Sequence, residues 1–250
     1  MRQTSSTPPA DSADTTGLTQ TRLRSACRYN EWLYSLLAPY VGRRIFDAGC
    51  GIGNVTRLFL EKAELVIGYE CREDFCESMR AEFSAHPNLR IMQGDLACLD
   101  AATFAAEALD TVLCVNVLEH IECDVGLLRQ FGAMLAPGGR VCLFVPAHPW
   151  LYGAHDAADG HFRRYTKRGL RDALGQADFE VEVLRWVNLP GILAWWLNKI
   201  RRRVAFGDSQ CGAFDRAVPI IARLEAICPP PIGLSLLAVA AKARTLGCPT

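Results

Sequence analysis

The sequence predicts an α/β fold built on a mostly parallel sheet with helices on both faces, and three observations carry that expectation. Short apolar runs alternate with helix-length segments from about residue 45 onward, the pattern of strands joined by crossover helices. A glycine-rich turn, Gly49-Cys50-Gly51-Ile52-Gly53, directly follows the first of those runs. The second run ends in an acid, Glu70, 21 residues after Gly49.

Taken in order, Met1 to about Gln20 is rich in Thr, Ser, Pro and Asp with little to bury. It is expected to be a disordered tail ahead of a domain spanning 21–250. Between Arg22 and Tyr40, Tyr29, Trp32, Leu33, Leu36 and Leu37 recur at helical spacing and the stripe stops at Pro39. A helix packed on the sheet is expected there, with Tyr29 as a residue that could close over a ligand.

Ile45 to Arg57, IFDAGCGIGNVTR, reads as a strand, a glycine turn and a helix start at Asn54. Asn54–Glu61 and Phe75–Phe83 are expected as the first two crossover helices. Glycine is needed where the backbone turns with positive φ or approaches a ligand closely, and the amides of such a turn face what is bound. Asn54 stands where a dinucleotide fingerprint requires a third glycine or alanine. Asp47, two residues before the turn, sits badly beside a pyrophosphate. It suits a ligand with an amino group and no phosphate, such as S-adenosylmethionine, whose ammonium and sulfonium are cationic. Val112 to Val117 is a near-continuous apolar run and therefore a central strand. Ligands of such sheets bind outside the carboxyl ends of the strands, so Asp47, Glu70, Asp95 and Asn116 converge on one crevice. Turn and cap roles are the alternative for Asp95 and Asn116.

The glycine segment resembles motif I of the class I S-adenosylmethionine-dependent methyltransferases, and the resemblance extends over about Arg22 to Val145. Leu65–Glu70 (LVIGYE), Arg90–Leu96 (RIMQGDL), Leu109–His120 (LDTVLCVNVLEH) and Leu135–Val145 (LAPGGRVCLFV) fall in the family's order and at its intervals. The resemblance implies a Rossmann-like seven-stranded, mostly parallel sheet with S-adenosylmethionine as cofactor. It implies that Asp47, Gly49, Gly51, Glu70, Asp95 and Asn116 hold that cofactor, Glu70 on the ribose and Asp95 at the adenine amino group. The fourth strand exits as Asn116-Val117-Leu118-Glu119-His120, without the Pro-Pro-aromatic sequence of enzymes that methylate nucleobase or amide nitrogens. It is similar instead to small-molecule enzymes acting on quinones, sterols and sugars. Glu119 and His120 are expected to start the next helix, where Glu suits the N-terminal dipole.

Composition adds exclusions. The 250 residues are half hydrophobic and 22% charged with zero net charge, so the chain can bury a full core and presents no field for a polyanion. Nucleic acid is not an expected partner. Eleven cysteines lie scattered, without Cys-x-x-Cys or zinc spacing, and no apolar leader or membrane-length run is present. Reduced thiols in the cytoplasm are expected. Oligomeric state is not readable.

After the fifth strand, Pro146–Thr166 carries His148, His155, Asp156, Asp159, His161, Arg163, Arg164 and Tyr165, with Trp150 and Tyr152. A loop of that length is expected to be a lid, 146–166. Its candidate bases are His155, Asp156 and His161, worth roughly 10² to 10⁴ in rate if the acceptor carries a hydroxyl or acidic carbon. The competing reading is that they fasten the lid, with Asp156 or Asp159 paired to Arg163 or Arg164. No metal site is expected, because loop spacing does not fix two histidines and a carboxylate on one face.

Leu170–Ala177 reads as a helix, Phe179–Asn188 as a strand and Leu236–Ala243 as the closing strand. The 189–235 insert between these strands is expected to cap the crevice. Within it Leu193, Trp196, Leu197, Ile200 and Val204 form a stripe beside Lys199 and Arg201 to Arg203. Packing on the domain is expected of the stripe; peripheral membrane contact through 192–204 is the alternative. The chain thus reads as a methyltransferase that methylates a small-molecule acceptor, on oxygen or carbon before nitrogen, and the capped, aromatic-rich crevice favours an apolar or lipid-linked one. The alternatives are a non-catalytic cofactor-binding scaffold and a peripheral membrane-binding module.

Overall fold

The structure is a computed structural model that describes residues 17, 20, 21, 24–201 and 208–243. Seven strands form one sheet in the order β3-β2-β1-β4-β5-β7-β6. They are β1 (Arg44–Ala48), β2 (Leu65–Glu70), β3 (Leu89–Gln93), β4 (Leu109–Val115), β5 (Leu135–Pro146), β6 (Phe179–Val187) and β7 (Ser235–Lys242). β7 pairs antiparallel with both β5 and β6, and the pairings among β1 to β5 are parallel. This is the expected seven-stranded, mostly parallel sheet.

Alternation along the strands divides the interior into two cores. In β1, Phe46 and Ala48 join the core on one face and Ile45 that on the other; in β5, Val141, Leu143 and Val145 oppose Cys142 and Phe144. Successive side chains point to opposite faces, so a continuous apolar run needs helices on both sides. Helices α3 (Asp124–Met134) and α5 (Lys167–Gln176) cover the first core, through Phe131 and Leu174 among others. Helices α1 (Cys27–Leu37) and α7 (Asp208–Ile227) cover the second through Trp32, Leu33, Val218 and Ile221. α2 (Glu73–Glu82), α4 (Ala154–Ala158) and α6 (Leu189–Ile200) complete the described helices.

Several expectations are corrected. The connection after the glycine turn is not a helix over Asn54–Glu61: it is a 3₁₀ turn at Thr56–Leu58 flanked by other turns. The amides of Leu58 and Phe59 bond three residues back, to Val55 and Thr56, and the Thr56 hydroxyl is tied to Asp47 at 2.6 Å. That tether and the burial of Phe59 and Leu60 favour the tighter winding over a regular helix. At the N-terminus, Gly17 and Gln20 are helical rather than part of a tail, and Asn54 donates to the Gln20 side chain at 3.1 Å. The rest of the expected tail lies outside the described residues.

The stripe on α6 also faces the other way. Leu193, Trp196, Leu197 and Ile200 are exposed, Leu193 at 61% and Ile200 at 58%, while Gly191 and Asn198 are buried. The face with Trp195 is turned inward, where that ring meets His155 at 4.8 Å and Arg164 at 4.3 Å. Packing was expected of the apolar stripe, and a cation–aromatic contact on the adjoining face does it instead. Arg202, Arg203 and Val204 lie outside the described residues. Among the described residues no helix is long and apolar enough to cross a membrane.

Gly49 combines two constraints: its φ is +66°, and an added Cβ would lie 2.5 Å from Val117 Cγ2. Gly138 has φ +80° with open space around it. Gly49→Ala is expected to cost about 2 kcal/mol or more and Gly138→Ala only the conformational part, roughly 1 kcal/mol. Equilibrium denaturation of both variants checks the order; equal losses would mean that the Val117 contact relaxes without cost.

Candidate active site

Four strand exits build the site. At the end of β1, Asp47 is 4% exposed and accepts the Thr56 hydroxyl. Burial raises its carboxyl to about 6, against the lowering effect of that hydrogen bond and with a further push from the nearby Glu70 charge. Glu70, at the end of β2, accepts the Gly51 amide at 2.9 Å and the Arg72 amide at 3.0 Å. Its carboxylate is thereby fixed against the glycine turn, which the Gly49 amide joins to the Tyr69 carbonyl at 2.8 Å. Asp95, beyond β3, is exposed and caps the following turn by accepting the Ala97 amide at 2.8 Å. Asn116 leaves β4 with φ +52°, a backbone region that asparagine tolerates better than most residues. The Asn116 side chain meets the hydroxyl of Tyr29, which burial raises to about 12. Asp47, Glu70, Asp95 and Asn116 thus lie along the carboxyl edge of the sheet, with Tyr29 of α1 over the β4 exit.

The 146–166 segment is more tightly built than a free lid. A 3₁₀ turn at Pro149–Leu151 and helix α4 lie within it, and Leu151, Asp156, Arg164 and Tyr165 are buried. Asp156 is its centre. Its carboxylate accepts Arg164 Nε at 2.8 Å and the Gly153 amide at 2.9 Å and meets His161 Nδ1 at 3.0 Å. Burial alone would raise this carboxyl, but the His161 and Arg164 contacts outweigh it and hold the group below its ordinary range. Asp156 is therefore an ionised positioning residue. His155 pairs with Asp159 at 3.3 Å, and burial lowers its imidazole. The Tyr165 hydroxyl donates to Asp124 at 2.9 Å, and Arg163 pairs with Asp124 at 2.9 Å. Of the lid's candidate bases, only His161 reaches the group at the β4 exit.

That group is Glu119 and His120, which do not begin a helix as expected. They lie in a 3₁₀ turn, Leu118–His120, and the next helix starts at Asp124. Glu119 is fully buried, and among the described residues neither carboxylate oxygen has a hydrogen-bond partner beyond its own backbone. Burial raises its carboxyl to about 7, partly offset by His161. The His120 and His161 rings meet edge to face at 4.5 Å, and burial lowers His120 to about 4. The Phe162 amide donates to the Glu119 carbonyl at 2.8 Å, clasping the two segments. The sequence signal for this cluster was two adjacent titratable residues immediately after a central strand. Their partner comes from the lid, 41 residues further on.

Comparison with known proteins agrees with this architecture. A methyltransferase domain family matches residues 46–141. The chain is 25% identical over 193 residues to an uncharacterized methyltransferase of Mycobacterium tuberculosis, covering 68% of this chain and 74% of that one. It is 27% identical over 111 residues to a ubiquinone biosynthesis O-methyltransferase of Bordetella avium, covering 44% and 46% respectively. In fold it is similar to an S-adenosylmethionine-dependent methyltransferase from Mesorhizobium loti, with a TM-score of 0.59 and 20% identity over 84% of this chain and 95% of that one.

Removing one member of a buried ion pair strands the other charge, which costs about 3–5 kcal/mol. Asp156→Ala is expected to show that loss in thermal or chemical denaturation, while Arg168→Ala, whose partner Asp172 is exposed, stays within about 1 kcal/mol of wild type. A small loss for Asp156→Ala would mean that water reaches Arg164.

The domain match over 46–141 identifies a methyltransferase domain in this chain, and the strand order and the carboxylates at the β1 and β2 exits agree with the resemblance to S-adenosylmethionine-dependent methyltransferases.

Proposed function

We propose that the enzyme moves the methyl group of S-adenosylmethionine to an oxygen of a small, largely apolar acceptor, with an acidic carbon as the second choice of atom. In this reading Asp47 takes the ammonium group, Glu70 the ribose hydroxyls and Asp95 the adenine amino group. Gly49 and Gly51 let the backbone approach, and Asn116 and Tyr29 border the methyl-bearing end. The methyl carbon leaves the sulfonium with the bonding electrons remaining on sulfur, so the protein's task is alignment. An O–H acceptor must also lose its proton.

The observation that carries the choice of atom is the Glu119 carboxylate, fully buried beside His120 and His161 at the exit of β4. An unpaired buried carboxylate is costly unless a bound group uses it. A hydroxyl donor answers it, and this cluster draws the acceptor's proton away. The methyltransferase of Bordetella avium, an O-methylating relative by name, supports the same choice. Exposed Leu193, Trp196, Leu197 and Ile200 beside Arg201 support a second element of the reading, in which α6 rests on a membrane surface from which an apolar or lipid-linked acceptor is drawn.

Titration calorimetry with S-adenosylhomocysteine is expected to give saturable binding that Asp47→Ala and Glu70→Ala each abolish. The ammonium needs Asp47 ionised, so affinity should fall as pH drops through about 6, by about tenfold per unit at most. Pairing also lowers the carboxyl, so protons are released on binding near that pH. Affinity flat between pH 5 and 8 would remove Asp47 from the ammonium. A screen of phenols, hydroxylated quinones and lipid alcohols against polar amines tests the acceptor; turnover confined to amines would overturn the choice of oxygen.

A further inference from the structure

The Glu119–His120–His161 cluster has features that a proton relay does not need. One ligating atom from each residue lies within 4.8 Å of the others. Each histidine has one ring nitrogen engaged by an orienting group. His161 Nδ1 meets the Asp156 carboxylate at 3.0 Å, and His120 is hydrogen-bonded to the Asp159 backbone. Metal-binding histidines characteristically have their second nitrogen held by a carboxylate or a backbone carbonyl in this way, which fixes ring orientation and raises basicity. Asp156 is itself anchored by Arg164 and by the Gly153 amide, so the orienting shell is rigid. The third group, Glu119, is 0% exposed, with both carboxylate oxygens unmatched by any other described residue. A buried carboxylate left without donors is satisfied by a cation.

We propose that Glu119, His120 and His161 form a binding site for a divalent first-row transition metal of the Zn²⁺ type. Two imidazoles and a carboxylate suit such ions, whereas Mg²⁺ and Ca²⁺ favour oxygen ligands. Bonds of about 2.0–2.2 Å place tetrahedral ligand atoms roughly 3.3–3.6 Å apart, so three atoms within 4.8 Å of one another draw together by up to about 1.5 Å on binding. Three protein ligands leave at least one coordination position open. The Glu119 and Asp156 carboxylates do not fully neutralise a dication together with the Arg164 guanidinium, so the open position carries net positive charge and favours an anionic oxygen. On the reading of the enzyme as an O-methyltransferase, that position takes the acceptor's hydroxyl, and the metal lowers its pKa so that it arrives deprotonated, the proton leaving to solvent. His155, Asp156 and His161 are close in sequence, but loop spacing does not make them a ligand set. The structure replaces two of them with residues from the β4 exit and moves Asp156 into the supporting role.

The test uses chelator-stripped full-length protein titrated with Zn²⁺ against a chromophoric competitor, with Glu119→Gln and His161→Ala beside it, and with Co²⁺ as a spectroscopic probe. One equivalent should bind, at least tenfold more weakly in each variant, and Co²⁺ should give visible bands without thiolate charge transfer. No stoichiometric binding, a loss below tenfold in either variant, or a thiolate band reporting the cysteines would overturn the site. Glu119→Gln preserves side-chain shape, and S-adenosylhomocysteine binding by the same samples reports an intact fold. Loss of that binding in the wild type would fail the cofactor reading alone, since the metal titration is read independently of it.

Discussion

The organising constraint in this molecule is the convergence of buried carboxylates at one edge of a parallel sheet. Asp47, Glu70 and Glu119 leave β1, β2 and β4 on the same side and all are buried, where an unmatched negative charge is expensive. Each is handled differently. Glu70 is satisfied internally by the Gly51 and Arg72 amides. Asp47 has a single hydroxyl partner and a raised carboxyl. Among the described residues the Glu119 carboxylate has no hydrogen-bond partner from another residue. That gradient runs from a carboxylate the fold satisfies itself to one that it leaves without a hydrogen-bond donor from another described residue, and it is the basis of the proposed cofactor and cation roles.

The surrounding elements hold those groups in place. The 3₁₀ turn after the glycine loop brings Thr56 back onto Asp47. α7 braces α1, Asp215 accepting the Tyr29 amide at 3.0 Å and Phe214 meeting the Tyr29 ring at 6.0 Å. The insert between β6 and β7 therefore supports the residue that borders Asn116. α6 carries out the same task for the lid, pressing Trp195 against His155 and Arg164. The positive φ of Asn116, His148 and Asn188 places an unusual backbone conformation at or just beyond the exits of β4, β5 and β6, on the side where the ligands bind.

Stability and function compete most directly around Asp156. It is the hub of a buried ion pair and of a histidine that reaches the acceptor end. A segment held by such a hub is a wall with fixed side chains. The outward apolar face of α6, with Leu193, Trp196, Leu197 and Ile200 exposed, lies on the neighbouring element. The groups that orient His161 and His120 lie within α4 and its C-terminal turn, so the lid contributes geometry to the acceptor end as well as cover.

The sequence by itself determined the sheet, the glycine turn and the identity of the acids at the strand exits, because those follow from local rules. Period-two alternation, positive-φ glycines and strand-terminal polar residues are all written within a few positions of one another. It also placed α1, α2 and α5 to within a few residues. It failed where the outcome depended on partners distant in the chain. Nothing near Asn54 announces that Thr56 is bound to Asp47, and periodicity gives a stripe on α6 without saying which side meets the domain. Only the tertiary structure decided that Glu119 and His120 face His161. The reason is physical: ionisable side chains take their roles from burial and from neighbours, and those are set when the lid folds back across the end of β4.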